Sequence, residues 1–354
     1  MSKIFMPVFT VAEWGGLHEY ALAAADMLKR AGHEVLFAGT PGRVTDVARS
    51  MKISTLDVDW HDSSGSTMSS AVQWDADLVF AQPFRSRVLG MAVAAESNIP
   101  FVPMFHGYAH DSAFVWHERA ARILTTSPSI SAMLVRYCFV PASKLQVIPN
   151  GAPSHLLELE SREPEANADH LSIALVSRLS HDKFGMIEAA LEVVASVRDV
   201  YDGHITLDVV GDGPLRYEFD YHLHRGVRDD ERCTVEMHGW MDPAEVPAIL
   251  SEAFVSVGAG RSALQSVALG TPVYGAGARA SIGIPDVEQI DAAVSCNFGD
   301  YLPVGRLAEP LSPRDLLDPG RYSDLAKSGR ELVRLKYTQD RTDEILRVAL
   351  TEVL

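Results

Sequence analysis

Hydrophobic and polar residues follow a pattern that predicts strands and helices in turn. Near the N-terminus, short apolar stretches at Lys3–Thr10 predict a strand, and Leu17–Ala31 repeats apolar positions at helical spacing. A second strand is predicted after Gly32, at Val35–Ala38. A strand, a loop, a helix and a strand make a βαβ unit, which indicates a parallel sheet.

The alternation continues along the chain and predicts an α/β protein. The further predicted segments are a strand at Pro100–Phe105, a strand at Leu171–Val176, a helix from Met186, a strand at Leu207–Val210, a helix at Pro243–Ala253 and a helical pattern within Glu331–Leu354. A chain of 354 residues is long for one hydrophobic core, so two domains are expected.

One segment in the second half has the pattern of a phosphate site. Phe254–Val257 predicts a buried strand, and Gly258 and Gly260 follow it. Ser262 is then expected at a helix N-cap. Glycines allow backbone N–H groups to approach a ligand, and the helix dipole favours negative charge at that end.

The same glycines fit a second interpretation. Gly258-x-Gly260-x-x-Ala263 matches the dinucleotide fingerprint G-x-G-x-x-G/A. The match lies late in the chain, and no acidic residue stands near the end of the next strand to hold a ribose. Dinucleotide binding is therefore the weaker of the two interpretations.

Charge and composition restrict the partners. The net charge is −16, and residues 151–354 carry −15 of it. This acidity argues against nucleic acid and an anionic membrane as partners. No apolar run approaches the roughly 20 residues that span a bilayer. Three widely spaced cysteines (Cys138, Cys233, Cys296) fit neither a disulfide framework nor a zinc cluster, so a cytoplasmic protein is expected.

Two acidic pairs and a histidine pair are poor metal candidates. Asp57-x-Asp59 and Asp75-x-Asp77 have D-x-D spacing, but the second pair is a turn that enters an apolar strand. His222 and His224 lie two residues apart on a predicted helix and so face different directions. We expect no metal site.

The segment from Val257 to Val273 resembles the donor-binding motif of family 4 glycosyltransferases of the GT-B fold, E-G-F-G-x-P-x-x-E-A-x-A-x-G-T-P-V. The matching residues are Gly258, Gly260, Leu264, Ala268, Gly270, Thr271, Pro272 and Val273. Val257 and Gln265 replace its two glutamates. The resemblance implies that Gln265 keeps a weakened ribose contact, whereas Val257 offers a sugar hydroxyl no partner, which favours a deoxysugar or another donor pose.

Five further segments resemble the family in the same order. They are Trp14–Gly16 with Gly32–Val35, Lys144–Ala152 (K-x-x-V-I-P-N-G-V), Ser177–Gly185 (G-R-L-x-x-x-K-G, with one residue inserted), Val210–Pro214 (V-G-D-G-P) and Val235–Met241. No single segment is decisive, but together they cover most of the chain.

The resemblance implies roles for individual residues. Arg178 and Lys183 would neutralise the donor diphosphate, and two cations at the end of a strand suit such a leaving group. His106, which follows the Pro100–Phe105 strand, would approach the donor sugar, and His110 competes for this role. The other implied donor-site residues are Gly15 and Gly16 beside the phosphates, His238, Gly239 and Trp240 beside the base, and Gly258, Gly260, Arg261 and Ser262 around the diphosphate.

The implied architecture is two doubly wound, Rossmann-like parallel-sheet domains that face each other across a cleft. Residues 1–165 would form the acceptor-side domain, with a helix at about 338–354 crossing back to it, and residues 170–337 the nucleotide-sugar domain. Leu157–His170, which is rich in glutamate, is expected to be the linker between them.

The expected function is retaining transfer of a hexose or deoxysugar from a UDP-, GDP- or dTDP-sugar to a small soluble acceptor. No metal or further cofactor is expected. The missing glutamates leave open a non-catalytic relative that binds a ligand or partner. A GT-B sugar-nucleotide epimerase is a third option, although no pair of acid–base carboxylates is evident.

Overall fold

The chain forms two compact α/β units. The computed structural model describes residues 1–9, 14–61, 65–83, 85–161 and 169–354. Thr10 of the first predicted strand and residues 162–168 of the predicted linker lie outside these ranges. Unit 1 comprises Met1–Pro149 and Asp343–Leu354, and unit 2 comprises Asn150–Thr342. The sequence places a domain boundary near residues 165–170, and the compact units divide at Pro149.

Unit 1 is built on a seven-stranded sheet in the order β3-β2-β1-β4-β5-β6-β7. All its paired strands are parallel. The strands are β1 Lys3–Val8, β2 Glu34–Gly39, β3 Ser54–Asp57, β4 Leu78–Ala81, β5 Phe101–Phe105, β6 Ile123–Thr125 and β7 Leu145–Val147. The helices are α1 Gly16–Arg30, α2 Arg43–Ser50, α3 Ser66–Gln73, α4 Arg85–Ser97, α5 Ala113–Trp116 and α6 Pro128–Cys138.

Unit 2 contains a six-stranded sheet in the order β10-β9-β8-β11-β12-β13. The strands are β8 His170–Val176, β9 His204–Val210, β10 Cys233–Gly239, β11 Val255–Gly258, β12 Val273–Ala276 and β13 Ser281–Gly283. The helices are α7 Gly185–Arg198, α8 Arg216–Val227, α9 Val246–Glu252, α10 Gly260–Leu269, α11 Ile290–Ser295 and α12 Pro319–Lys336. Strand β13 runs antiparallel to its neighbour β12.

The predicted α/β architecture with two doubly wound parallel sheets is confirmed. In both sheets the strand order reverses beside the first strand of the unit, β1 or β8, and loops at such a point form a crevice at the carboxyl ends of the strands. Strands buried on both faces explain the continuous apolar runs of the sequence, such as the fully buried Leu78–Ala81.

The C-terminal helical pattern is divided between two helices. α12 ends at Lys336, and α13 spans Gln339–Thr351. Residues from Asp343 onward belong to unit 1, where Leu346, Ala349 and Leu350 are buried in the hydrophobic core. Among the described residues, no helix combines the length and the apolar character that crossing a bilayer requires.

Candidate active site

Three loops meet at the carboxyl ends of the strands of unit 2. The loop after β8 pairs with the loop after β9, because Ser177 N–H donates to Val210 O (3.0 Å) and Leu179 N–H donates to Asp212 O (3.0 Å). The turn after β11 joins them, since Ser262 Oγ donates to Val176 O at 2.9 Å. Segments that resemble the family in three separate parts of the sequence therefore form one continuous surface.

Two glycines allow the first two loops to pack backbone against backbone. A Cβ atom at Gly211 would lie 1.8 Å from Ser177 O, and one at Gly213 would lie 2.3 Å from Leu179 O. Any larger residue would force the loops apart. The structural role of the Val210–Pro214 segment is therefore to hold the loop that carries Arg178 against the end of β9.

Helix α10 begins at Gly260, whose φ of +70° favours glycine. The N-cap residue is Ala259, which provides no side-chain cap. The prediction of Ser262 as the N-cap is wrong: Ser262 lies in the first turn with Arg261, and its hydroxyl bonds Val176 O and Ala259 O. The first backbone N–H groups of a helix have no partner within it, so this end suits an anionic ligand.

Arg178 and Lys183 follow β8, and each pairs with a carboxylate. Arg178 is 52% exposed, and its Nη2 lies 3.1 Å from both oxygens of Asp182. Burial raises the pKa of Asp182. The hydrogen bond from the Ser180 hydroxyl and the positive charge of Arg178 together lower it by more, so the pKa lies below the usual value. Asp182 is therefore ionised at neutral pH and orients the guanidinium.

Lys183 forms an ion pair with Asp300, a residue that the sequence analysis missed. The Lys183 side chain is 12% exposed and that of Asp300 is 20% exposed. Asp300 Oδ1 also accepts from Ala278 N–H (3.1 Å), and its Oδ2 accepts from Asn297 Nδ2 (3.2 Å). A carboxylate therefore stands in the region where the sequence predicts two cations and a helix N-terminus.

The two residues that replace the motif glutamates have different environments. Val257 is 0% exposed and packs in the core of unit 2, in register with Leu175 and Tyr274. It cannot face a sugar, so the expectation of a sugar hydroxyl against Val257 is wrong. Gln265 is half-buried in α10, one turn beyond Arg261.

The segment expected beside the nucleotide base is the end of β10. Gly239 O accepts from Gly211 N–H at 2.7 Å, and the neighbouring Trp240 is exposed. His238 Nε2 lies 2.7 Å from Asp208 Oδ1. In the part of the chain that the structure describes, Asp208, Glu236 and His238 form a group with possible metal ligands within 4.8 Å, on the polar side of strands β9 and β10.

The D-x-D pairs have other partners. Asp57 pairs with Arg49 at 2.5 Å, and Asp59 accepts from His61 N–H at 2.9 Å. Asp77 accepts from Lys3 N–H at 2.7 Å, and Asp75 occupies a turn with a φ of +59°. These interactions are those of loops that enter and leave strands, not of paired metal ligands.

In unit 1, the glycine loop leads into α1. Gly15 is the N-cap, and Gly16 is the first helical residue. His18, which the sequence analysis passed over, is buried and stacks on Trp14 with 5.7 Å between ring centroids. Burial is the main cause that lowers the pKa of His18, so this imidazole is neutral at pH 7.

His106 is better placed for a site role than His110. His106 directly follows β5, and its Nε2 lies 2.8 Å from Oε1 of the fully buried Gln82. Its ring contacts Tyr20 edge to face, at 4.6 Å between centroids. His110 is exposed, and its Nδ1 accepts from Ser112 N–H at 3.2 Å. The structure thus fixes the orientation of His106 and leaves His110 at the surface.

A buried arginine supports the loop that carries His106. Arg87 donates from Nη1 to Asp111 (2.6 Å) and from Nη2 to Met104 O (2.7 Å), and its guanidinium lies 3.7 Å from the centroid of Phe105. Burial lowers the pKa of Arg87 to about 10, against the opposing charge of Asp111. Arg87 is therefore charged at neutral pH and ties α4 to both ends of the His106 loop.

Comparisons with known proteins agree with this geometry. Residues 14–155 match the model of Glycosyltransferase Family 4. No curated protein sequence matches the chain. Among solved structures, HepE of Anabaena in complex with UDP and glucose has a TM-score of 0.73 at 15% identity, and the match covers 99% of this chain and 100% of that one.

Two other structures are similar over the same length. A glycosyltransferase from Rickettsia africae has a TM-score of 0.74 at 13% identity, with 99% of this chain and 98% of that one covered. The sucrose-phosphate synthase of Thermosynechococcus elongatus has a TM-score of 0.66 at 17% identity, with 99% of both chains covered. The family match in the N-terminal part and the fold of the whole chain support the assignment made from the sequence, a family 4 glycosyltransferase of the GT-B fold.

Proposed function

We propose that this glycosyltransferase moves a sugar from a nucleotide-sugar donor to a small soluble acceptor, with retention of configuration and without a metal. Unit 2 binds the donor nucleotide, and unit 1 supplies the acceptor side. The observation that carries the proposal is the meeting of the Arg178–Lys183 loop with the uncapped N-terminus of α10. The similar HepE structures contain UDP and UDP-glucose, which makes a uridine nucleotide the first donor class to test.

The chemistry follows from where charge develops. Cleavage of the bond between sugar and phosphate leaves negative charge on the departing diphosphate. Preorganised N–H groups at the start of α10 and the cations Arg178 and Lys183 stabilise that charge, as an oxyanion hole does. In this proposal the two side chains take the place of a divalent cation. In unit 1, Gln82 holds the orientation of His106, and the proposed role of His106 toward the donor sugar follows from the resemblance to the family.

Binding of a nucleoside diphosphate is expected to persist in the presence of a chelator. The Arg178→Ala variant should lose about 1.5–3 kcal/mol of binding free energy, the range for hydrogen bonds to charged groups. Isothermal titration with UDP, GDP and dTDP, with and without EDTA, measures both effects. Binding that occurs only with magnesium or manganese would show that the assigned cations do not perform this role.

The small soluble acceptor is proposed from the near-neutral charge of residues 1–150, which is −1. A surface without excess positive charge has little attraction for anionic lipid headgroups. The full chain is therefore expected to remain in the supernatant when anionic phosphatidylserine vesicles are sedimented at physiological salt. Co-sedimentation with those vesicles would argue for an acceptor at a membrane surface.

A further inference from the structure

We propose that Asp300 recognises the hydroxyl groups of the transferred sugar. The inference rests on the proposed function, because it takes the donor diphosphate to bind at the N-terminus of α10. Asp300 lies outside every segment that resembles the family. Its side chain contacts the distant residues Lys183 and Ala278, and nearer in sequence it contacts Asn297.

The position of the first motif glutamate does not provide this recognition. Val257 is fully buried among apolar side chains of unit 2, so no ligand reaches it. A donor sugar bound beyond α10 still carries hydroxyl groups that lose water on binding. Each such group needs an acceptor from another element, at a cost of about 1–3 kcal/mol if it finds none.

Asp300 lies directly beside the start of α10. A Cβ atom built on Gly260 would be 3.4 Å from Asp300 Oδ2 and 3.4 Å from Asn297 Nδ2. Gly260 is the first residue of the helix, where the first backbone N–H groups have no acceptor within the helix itself. A ligand that contacts the first turn at Gly260 therefore meets the carboxylate of Asp300.

The carboxylate is held in a fixed orientation. Lys183 forms an ion pair with Oδ1, Ala278 N–H donates to Oδ1, and Asn297 Nδ2 donates to Oδ2. Asn297 is itself held by Asn150 Nδ2 at 3.1 Å. An ionised carboxylate has about four acceptor positions, so these three donors leave capacity for a hydroxyl from a ligand.

The charge of Asp300 selects the chemistry that can lie against it. A carboxylate only accepts hydrogen bonds, and the oxygens of an ionised diphosphate do the same, so the two groups repel each other. Sugar hydroxyls donate. A bound donor must therefore direct hydroxyl groups toward Asp300 and place its diphosphate on the side of Lys183 and the N–H groups. This arrangement favours a fully hydroxylated sugar. It also removes the reason for expecting a deoxysugar, which was that Val257 would face the sugar and offer its hydroxyl no partner.

The Asp300→Asn variant tests this assignment because it keeps the shape of the side chain and removes its charge. For each of the pairs UDP and UDP-glucose, GDP and GDP-mannose, and dTDP and dTDP-glucose, calorimetry gives two dissociation constants. Their ratio measures the preference for the sugar-bearing ligand. We expect the variant to lower this preference about tenfold for the pair that the wild type binds, and to leave the affinity for the nucleoside diphosphate unchanged or tighter.

The ratio comes from one preparation, so a partly unfolded variant does not distort it. Asp291→Asn is the matched control: Asp291 accepts from Lys336 (2.8 Å) and Tyr337 (2.6 Å) within unit 2, and its loss should leave the ratio unchanged. An unchanged ratio in Asp300→Asn overturns the inference, whether the two affinities stay as they are or both tighten equally; in the latter case Asp300 would only compete with the phosphates. If the wild type binds no nucleoside diphosphate, the proposed function itself fails, and the inference fails with it.

Discussion

The Lys183→Met variant is expected to lose about 100- to 1,000-fold in kcat/KM for its donor, the effect of removing one preorganised donor from a site of charge development. The ammonium group is buried against Asp300 at the loop that follows β8. Methionine keeps the length and the packing of the side chain but offers no positive charge to the departing diphosphate. Steady-state rates of nucleoside diphosphate release measure the loss.

A second lysine separates this effect from a general loss of stability. Lys336 also pairs with a carboxylate of unit 2, Asp291, at 2.8 Å, and is about half-exposed. Lys336→Met should therefore retain activity near that of the wild type. Lys183→Met leaves the carboxylate of Asp300 without its cation and should lower thermal stability. In the double variant Lys183→Met/Asp300→Asn, no unpaired carboxylate remains, so thermal stability should recover, whereas activity should stay low. Full activity in Lys183→Met would show that the lysine does not contact the leaving group.

Replacement of Arg87 by methionine is expected to lower the free energy of unfolding by about 3 kcal/mol, at the lower end of the range for breaking a buried ion pair. Arg87 is 2% exposed, whereas its partner Asp111 is partly exposed, so water can compensate some of the loss. The variant also removes the hydrogen bond to Met104 O at the end of β5. Urea denaturation of the full chain measures the shift.

The neighbouring Arg85 provides the control for Arg87. Arg85 lies on the same helix but is exposed, and Arg85→Met should cost less than about 1 kcal/mol. Adding Asp111→Asn to Arg87→Met should restore part of the lost stability, because the uncompensated charge disappears. Additive losses in the double variant would contradict a direct coupling between the two side chains.

The sequence predicts the fold well because local patterns determine its elements. The apolar run before Gly258 and the glycine after Leu269 mark the end of β11 and the end of α10, and Gly270 indeed has a left-handed φ of +86°. The sequence pattern did not predict which residue caps helix α10, which is Ala259 and not Ser262. The tight turn at Gly260 starts α10 earlier than Ser262, and the serine hydroxyl is used to join β8 to the helix.

The contacts of the candidate site depend on tertiary packing that no local pattern encodes. Asp300 is 117 residues away from Lys183 in the chain, and nothing in the sequence around it marks it as a partner. The contact between Gln82 and His106 is easier to predict from the sequence than the contact between Lys183 and Asp300. Both residues follow adjacent parallel strands, β4 and β5, whose carboxyl ends meet at one edge of the sheet.

Val257 shows that similarity to a motif can also assign a residue to a site that it does not face. The family motif suggests a polar position that faces the ligand, but Val257 lies in the hydrophobic core of unit 2. The segment Val255–Gly258 is buried throughout, so the strand gains packing where a glutamate would need a polar partner. Sequence similarity alone could not reveal that Val257 no longer belongs to the site.

The most direct test of the account is donor consumption by the purified full chain in the presence of EDTA. A panel of UDP-, GDP- and dTDP-sugars is incubated with soluble acceptors, and NMR follows nucleoside diphosphate release and the anomeric configuration of the product. We expect that at least one donor is consumed without metal, that the anomeric configuration is retained, and that Arg178→Ala and Lys183→Met greatly reduce the rate. If nucleotides bind but no donor is transferred or hydrolysed, the chain is a non-catalytic relative and not a glycosyltransferase in activity.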